Sequence, residues 1–492
     1  MKVFNVFTAF FLILLLATAS SCGQKSTITQ VNRDIIFAIG QAPLNLDPRY
    51  ATDAASERVN RLIYQSLVDF DTQSKPIPSL ATWVTISPTE YRFTLKRNCA
   101  PFHHVPNSVQ TFLTAHDVKA TYDSFTLLKD SPHAAEFDNI KNIIVTDDRT
   151  VVFHLKQPDS HFPAKLIIGI LPANLIAMDQ DFSHAPVGNG PLKLVAWRNQ
   201  LNLVRVSDGQ KISLLEVKDP TVRVLKLLHG EADVLQGELP PELVKYLQTK
   251  PDVIVKTNRG ANFSYLGLNM QDPVLKNLKV RQAIAHAIDR DAIIQKVMVA
   301  NTRVASAILP PEHYTNQHPL PIYEYKPALA KQLLLEAGIK LPLKLVYKTS
   351  TDAQRVRFAT IMQAQMLLAG IDLEIRSLDW GTFFEDVKQG NFQLYGLTWV
   401  GIKTPEIYDK AFGSNSIPPN GFNRGRYADS ELDQLLLDEN WQAATARIHS
   451  QLPYIPLWYE GQFAAMRKEI HNFSPKPDGN WDDLATISRY AY

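Results

Sequence analysis

The chain has 492 residues, 45% hydrophobic, 10% aromatic and 20% charged, with 51 Lys+Arg against 49 Asp+Glu. That length calls for at least two packed lobes, with three as the fuller expectation, and the composition is that of an ordinary globular protein rather than a disordered, collagenous or disulfide-stapled one. A formal charge of +2 spread over the whole chain leaves no basic footprint for nucleic acid.

Lys2 precedes an apolar run from Val3 to Ala17, broken by Asn5 and Thr8, and the small residues Ala19, Ser20 and Ser21 stand directly before Cys22. A charged start, a short hydrophobic segment and a small-residue cleavage site make up a secretion signal. A transmembrane anchor is the competing reading, but the run falls short of the ~20 residues needed to span a bilayer. The ending resembles a bacterial lipobox, which implies cleavage before Cys22 and acylation of its thiol. More than one acyl chain is needed for stable attachment, and such lipidation supplies it. We expect residues 1–21 to be signal peptide and residues 22–31, polar and without apolar periodicity, to be a tether. Once Cys22 is acylated, Cys99 is the remaining cysteine, so no internal disulfide is available and stability must come from packing.

Along the body, Ile35-Ile36-Phe37-Ala38 reads as a strand and is followed by a turn-rich loop through Leu46-Asp47-Pro48. Val59, Leu62, Ile63 and Leu67 share one face of a helix predicted over Ser56–Leu67 with Ser56 as cap. Tyr91–Lys96 alternates as a strand, Thr114 caps a helix, and Thr150–Leu155 is strand-like again. Gly188 and Gly190 are expected to supply positive φ in a tight turn, followed by a strand. Ser264–Asn269 predicts a strand and Val280–Val297 one long helix, on which Arg281, Asp289 and Arg290 are expected to form local ion pairs. A helix over Lys326–Ala337 closes at Gly338, Leu341–Tyr347 is a strand, a helix over Ala353–Ala369 stops at Gly370, and Ile371–Ile375 is the next strand. This strand-helix-strand rhythm predicts a parallel-sheet lobe.

Taken in order, these segments carry a resemblance. Leu46-Asp47-Pro48, Ile63-Tyr64-Gln65-Ser66-Leu67-Val68, Pro78-Ser79-Leu80-Ala81-Thr82-Trp83, Tyr91-Arg92-Phe93-Thr94-Leu95, Phe102-His103, Leu113-Thr114-Ala115-His116-Asp117-Val118, Pro186-Val187-Gly188-Asn189-Gly190-Pro191 and the run from Val280 to Arg290 resemble the bacterial extracellular solute-binding proteins of family 5, the peptide- and nickel-binding receptors of ABC importers. The resemblance implies an α/β, two-lobed periplasmic-binding-protein fold of the class II (cluster C) type, with an extra inserted domain and a hinge between lobes. It places lobe I at residues 32–52, 186–261 and 468–492, an inserted subdomain of lobe I at 53–185, and lobe II at 262–467.

The resemblance also implies a site. Trp380 of Trp380-Gly381-Thr382-Phe383 and Trp399, nineteen residues on, match tryptophans that line the pocket of oligopeptide receptors, where aromatic rings offer contact area without selecting one side chain. The competing reading makes both core residues. Three residues after the second tryptophan those receptors carry an aspartate for the solute's α-amine; here Ile402 stands there, followed by Lys403. Candidate replacements for that anchor are Asp53, with Ala54 beside it, and Asp409. Arg424 and Arg426 lie in a polar, Pro- and Gly-rich loop and are candidates to clamp a carboxylate, with an exposed charged loop as the plain alternative. Tyr395, four residues before Trp399, completes the candidate ligand-binding set.

The expected function is a lipid-anchored binding protein of an ABC importer, taking a peptide or peptide-like solute in an interlobe cleft and delivering it to permease subunits in the membrane. It is expected to be a monomer, with no cofactor, no metal and no nucleic-acid partner. Two alternatives stand beside it. One is a metal or metallophore receptor on the same fold, for which His103-His104 is the single adjacent histidine pair. The other is an exported hydrolase, against which no Gly-x-Ser-x-Gly or His-Glu-x-x-His motif occurs.

Overall fold

A computed structural model of the chain describes residues 29–30, 33–104, 111–128, 130–316, 320–419 and 421–491. The expectations for the signal peptide, for Cys22 and for most of the tether lie outside these. Among the described residues no helix is long and apolar enough to cross a membrane.

Three sheets organise the molecule. The first has seven strands in the order Val253–Asn258, Gln462–Arg467, Val234–Gln236, Ile35–Ile39, Lys211–Glu216, Leu201–Arg205, Leu192–Trp197. Ile35–Ile39 lies inside it, parallel to both neighbours, and its apolar run suits a strand covered on both faces. The second has six strands in the order Arg303–Val304, Tyr454–Tyr459, Phe263–Leu268, Leu394–Trp399, Leu343–Ser350, Ile371–Leu378. Phe263–Leu268 and Tyr454–Tyr459 are buried at every position. Leu266 and Leu268 face a core with Leu345, Leu373 and Met362, while Phe263 and Tyr265 face an aromatic core with Phe383, Tyr395 and Tyr408. The third sheet, Ala81–Ser87, Glu90–Leu95, Thr150–Leu155 and Ile140–Asp147, is antiparallel. In its strand Glu90–Leu95 the residues Tyr91, Phe93 and Leu95 are buried while Arg92 is exposed, the alternation expected of a one-sided sheet.

In the second sheet Leu343–Ser350 runs parallel to Ile371–Leu378 on one side and to Leu394–Trp399 on the other. The chain therefore returns past its starting strand, and the strand order reverses between Leu343–Ser350 and Leu394–Trp399. Crevices at the carboxyl ends of such strands are where open α/β sheets take ligands.

Two chain crossings join the first two sheets, one after Asn258 and one between Tyr459 and Gln462. They lie side by side: the Glu460 N–H donates to Asn262 O at 2.9 Å. Each holds a glycine with no room for a side chain, since a Cβ on Gly260 would stand 1.7 Å from Glu460 O and one on Gly461 2.3 Å from Ala300 O.

Several expectations need correction. Lobe II was placed as far as residue 467, yet Gln462–Arg467 lies in the first sheet, so the chain crosses back at Glu460–Gly461. The apolar periodicity from Val280 to Val297 covers two helices, Leu278–His286 and Arg290–Val297, because Asp289 caps the second by accepting from Ala292 N at 2.9 Å. Arg281 and Arg290 form no local ion pair; both are buried, and they donate to the carbonyls of Gln451, Leu275 and Lys276 and of Pro456 and Tyr323 respectively. Burial is tolerable for a guanidinium whose donors are met. Gly188 and Gly190 are not in the left-handed region; a Cβ at either would collide with Ile63 O, so close backbone approach is what requires glycine there. The helix after the first loop starts at Ala54 with Asp53 as its cap, and Ser56 instead binds the backbone N–H groups of Leu44 and Asn45 through its hydroxyl. Gly338 and Gly370 do adopt positive φ beyond their helices, at 76° and 82°.

Candidate functional site

The carboxyl end of Leu394–Trp399 gathers three of the expected residues. Trp399, its last residue, stacks on Tyr265 at 6.3 Å and 13° and meets Phe422 at 6.1 Å and 67°. Trp380 opens the helix Trp380–Gln389, capped by Asp379, and at 55% exposure lays its ring on Phe384 at 5.4 Å and 13°. Between these two groups the Arg424 guanidinium carbon lies 5.0 Å from the Trp399 ring centre, 5.3 Å from that of Phe384 and 5.6 Å from that of Phe422. The rings hold the cation by its face. Among the described residues no carboxylate pairs with Arg424 and its side chain donates no hydrogen bond, so the guanidinium edge is available to an anion.

The other expected residues are placed elsewhere. Arg426 points back into its own loop and to the end of the neighbouring helix, donating to Arg424 O at 3.1 Å and Lys388 O at 3.0 Å. Tyr395 is buried in the aromatic core against Phe392, where a Cβ on Gly267 would stand 2.2 Å from its ring. Asp53 accepts from the Ser56 N–H and hydroxyl, and Ala54 is the exposed first residue of that helix. Asp409 is exposed on the helix Ile407–Phe412, and Ile402 packs against the aromatic core.

Lys403 reaches the opposite lobe. Its ammonium is 2.8 Å from an Asp478 carboxylate oxygen and 5.3 Å from the ring centre of Phe70. Burial of Asp478 opposes its ionisation, but Lys403 and the Asn480 N–H outweigh burial and hold the carboxyl below its usual range. A second contact lies at Glu439, whose carboxylate accepts from the Ser160 hydroxyl at 2.6 Å and stands 3.4 Å from His161 Nε2.

A recess of about 150 Å³ opens beside the crossings, lined by Ser264, Tyr347, Asp352, Arg355, Thr398 and Glu460 among others. Glu460 Oε1 accepts from the Ser264 hydroxyl at 2.6 Å and from the Thr398 hydroxyl at 3.1 Å. Asp352 caps the helix Ala353–Leu368 by accepting from Arg355 N at 2.9 Å. None of these residues was among the expected site. The available signal was Glu460-Gly461 at the end of the wholly apolar run Tyr454–Tyr459, a carboxylate placed just where a buried strand ends.

For the metal reading, His103 Nε2 is engaged by Gly190 O at 2.9 Å, and burial pushes this imidazole below its ordinary pKa. Among the described residues no group of three or more His, Cys, Asp or Glu side chains is set to hold a metal ion.

Comparison with known proteins supplies the frame for this site. The glutathione-binding protein GsiB of Escherichia coli (strain K12) is 28% identical over 489 residues, covering 91% of this chain and 93% of that protein. The ABC transporter-associated periplasmic binding protein DppA from Helicobacter pylori, solved in complex with the peptide STSA, superposes with a TM-score of 0.75 at 24% identity over 93% of this chain and 98% of that one. NikZ from Campylobacter jejuni, solved in complex with Ni(L-His), gives 0.76 at 21% identity over 93% and 99%. These two likenesses show the shared two-lobed α/β fold. The model of the bacterial extracellular solute-binding proteins, family 5 Middle, matches residues 75–416. With that match over most of its length, the chain belongs to the family 5 bacterial extracellular solute-binding proteins, the binding subunits of ABC importers.

Proposed function

We propose that the chain captures a peptide or peptide-like solute between its two lobes and presents it to the permease of an ABC importer, held at the membrane by lipid on Cys22. The observation that carries the reading is the unpaired Arg424 on its platform of Trp399, Phe384 and Phe422. An arginine kept in place by ring faces leaves its fork of N–H donors for a carboxylate, and the rings beside it give an adaptable apolar contact. The Lys403–Asp478 and His161–Glu439 contacts give the lobes a way to hold together once the solute is enclosed. The lipid anchor is supported by the small residues Ala19, Ser20 and Ser21 ahead of Cys22. The test is native purification of residues 23–492 from a bacterial periplasm, followed by mass spectrometry of what is released on denaturation. A peptide or peptide conjugate is the expected result; a metal chelate or a solute without a carboxylate would overturn the reading.

A further inference from the structure

We propose that the recess beside Glu460 is the subsite for a protonated amine of the solute, with the Glu460 carboxylate as its counter-ion. The inference rests on the peptide reading above and deepens it, because it restricts the solute to one with a free ammonium group.

Glu460 sits in the second crossing, where its backbone N–H is fixed to Asn262 O. Its side chain lines the recess, and its Oε1 takes hydroxyl hydrogen bonds from Ser264 and Thr398 on two adjacent strands. Hydroxyl dipoles orient a carboxylate but do not cancel its charge, and among the described residues no Lys, Arg or His forms an ion pair with Glu460. Of the other charged groups in the lining, Asp352 caps a helix and the Arg355 guanidinium is directed at Gly396 O, 3.5 Å away. Two carboxylates and one guanidinium leave the recess one negative charge in excess, which a monocation balances.

Shape and walls agree with an ammonium. The volume of about 150 Å³ equals about five waters at ~30 Å³ each, enough for an ammonium, its carbon and a small or medium side chain. Tyr347 and Trp458 stand in the wall, and aromatic side chains suit both a cation and the carbon beside it. Glu460 and the Thr398 hydroxyl offer acceptors for the N–H donors of an ammonium. Thr398 faces this recess while its neighbour Trp399 turns to the other face of the strand, onto Tyr265 and under Arg424. An amine at Glu460 and a carboxylate at Arg424 would then lie on opposite faces of one strand end.

The experiment compares two probes on the dialysed mature protein by titration calorimetry: a tripeptide library with free amino termini, and the same library N-acetylated. The expected result is at least tenfold tighter binding of the free library, with the preference abolished in Glu460→Gln, which keeps an acceptor for Ser264 and Thr398. Thr398→Val, which deletes one of the orienting hydroxyls, serves as second variant and should narrow the preference should Glu460→Gln not fold. Equal binding of both libraries by the unaltered protein would overturn the amine subsite and leave the peptide reading standing, as would a preference that survives in a folded Glu460→Gln. Binding of neither library would overturn both.

Discussion

Trp399 and Arg424 depend on each other: the ring gives the guanidinium a surface to lie on, and the guanidinium fixes the loop that carries Phe422 over the strand end. Replacing Trp399 with Ala is expected to weaken binding of the natural solute by about 2 kcal/mol, roughly 30-fold, as loss of a central aromatic anchor does. The ring is only partly buried, so the thermal unfolding midpoint should change little while calorimetry reads the loss. At this scale the motif and spacing of the two tryptophans are local and can be read in the sequence. Arg424 stands out there as a candidate carboxylate clamp, but its ring platform does not, since Phe384 and Phe422 meet only when a helix and a loop apart in sequence fold together. Arg426 and Asp53 look equally available in sequence, but their charges are taken up by backbone groups of their own neighbourhood.

Among the elements, strands and helix stops were read well where one residue type has one physical consequence. Gly338 and Gly370 end helices by taking a left-handed conformation. The break between Leu278–His286 and Arg290–Val297 escaped notice because apolar spacing runs through it and the capping role of Asp289 leaves no gap in that pattern. The crossings were equally silent: nothing local separates Gly461 from a turn glycine, yet its neighbour Ala300 O stands where a Cβ would need 2.3 Å. Gly461→Ala is therefore expected to destabilise the fold by about 1–3 kcal/mol through overpacking, read as a lower urea midpoint. A matching Gly209→Ala, at a site with open space but positive φ, should cost less, about 1 kcal/mol.

For the whole molecule, the contact between lobes carries a pH dependence whose sign follows from Asp478. Its folded pKa is depressed, so the stabilisation it lends the contact is complete above the usual aspartate value of about 3.9 and disappears as pH falls through the lower folded value. Small-angle scattering is expected to show the radius of gyration constant from pH 7 to about pH 4 and rising below it. Asp478→Asn should give the larger radius already at neutral pH and a smaller acid step. The two-lobed architecture was legible from the order of segments along the chain, whereas the reach of Lys403 to Asp478 was not, because it joins residues that share no element.

The position of Gln462–Arg467 within the first sheet, between Val253–Asn258 and Val234–Gln236, sets an order of events during biosynthesis. The second sheet lies wholly between the two crossings, so its lobe can assemble as soon as its own stretch of chain is made. The first sheet cannot: its early strand Ile35–Ile39 waits for a partner's partner that arrives more than four hundred residues later. A lobe begun at one end of the chain and closed at the other stays incomplete until synthesis is nearly over.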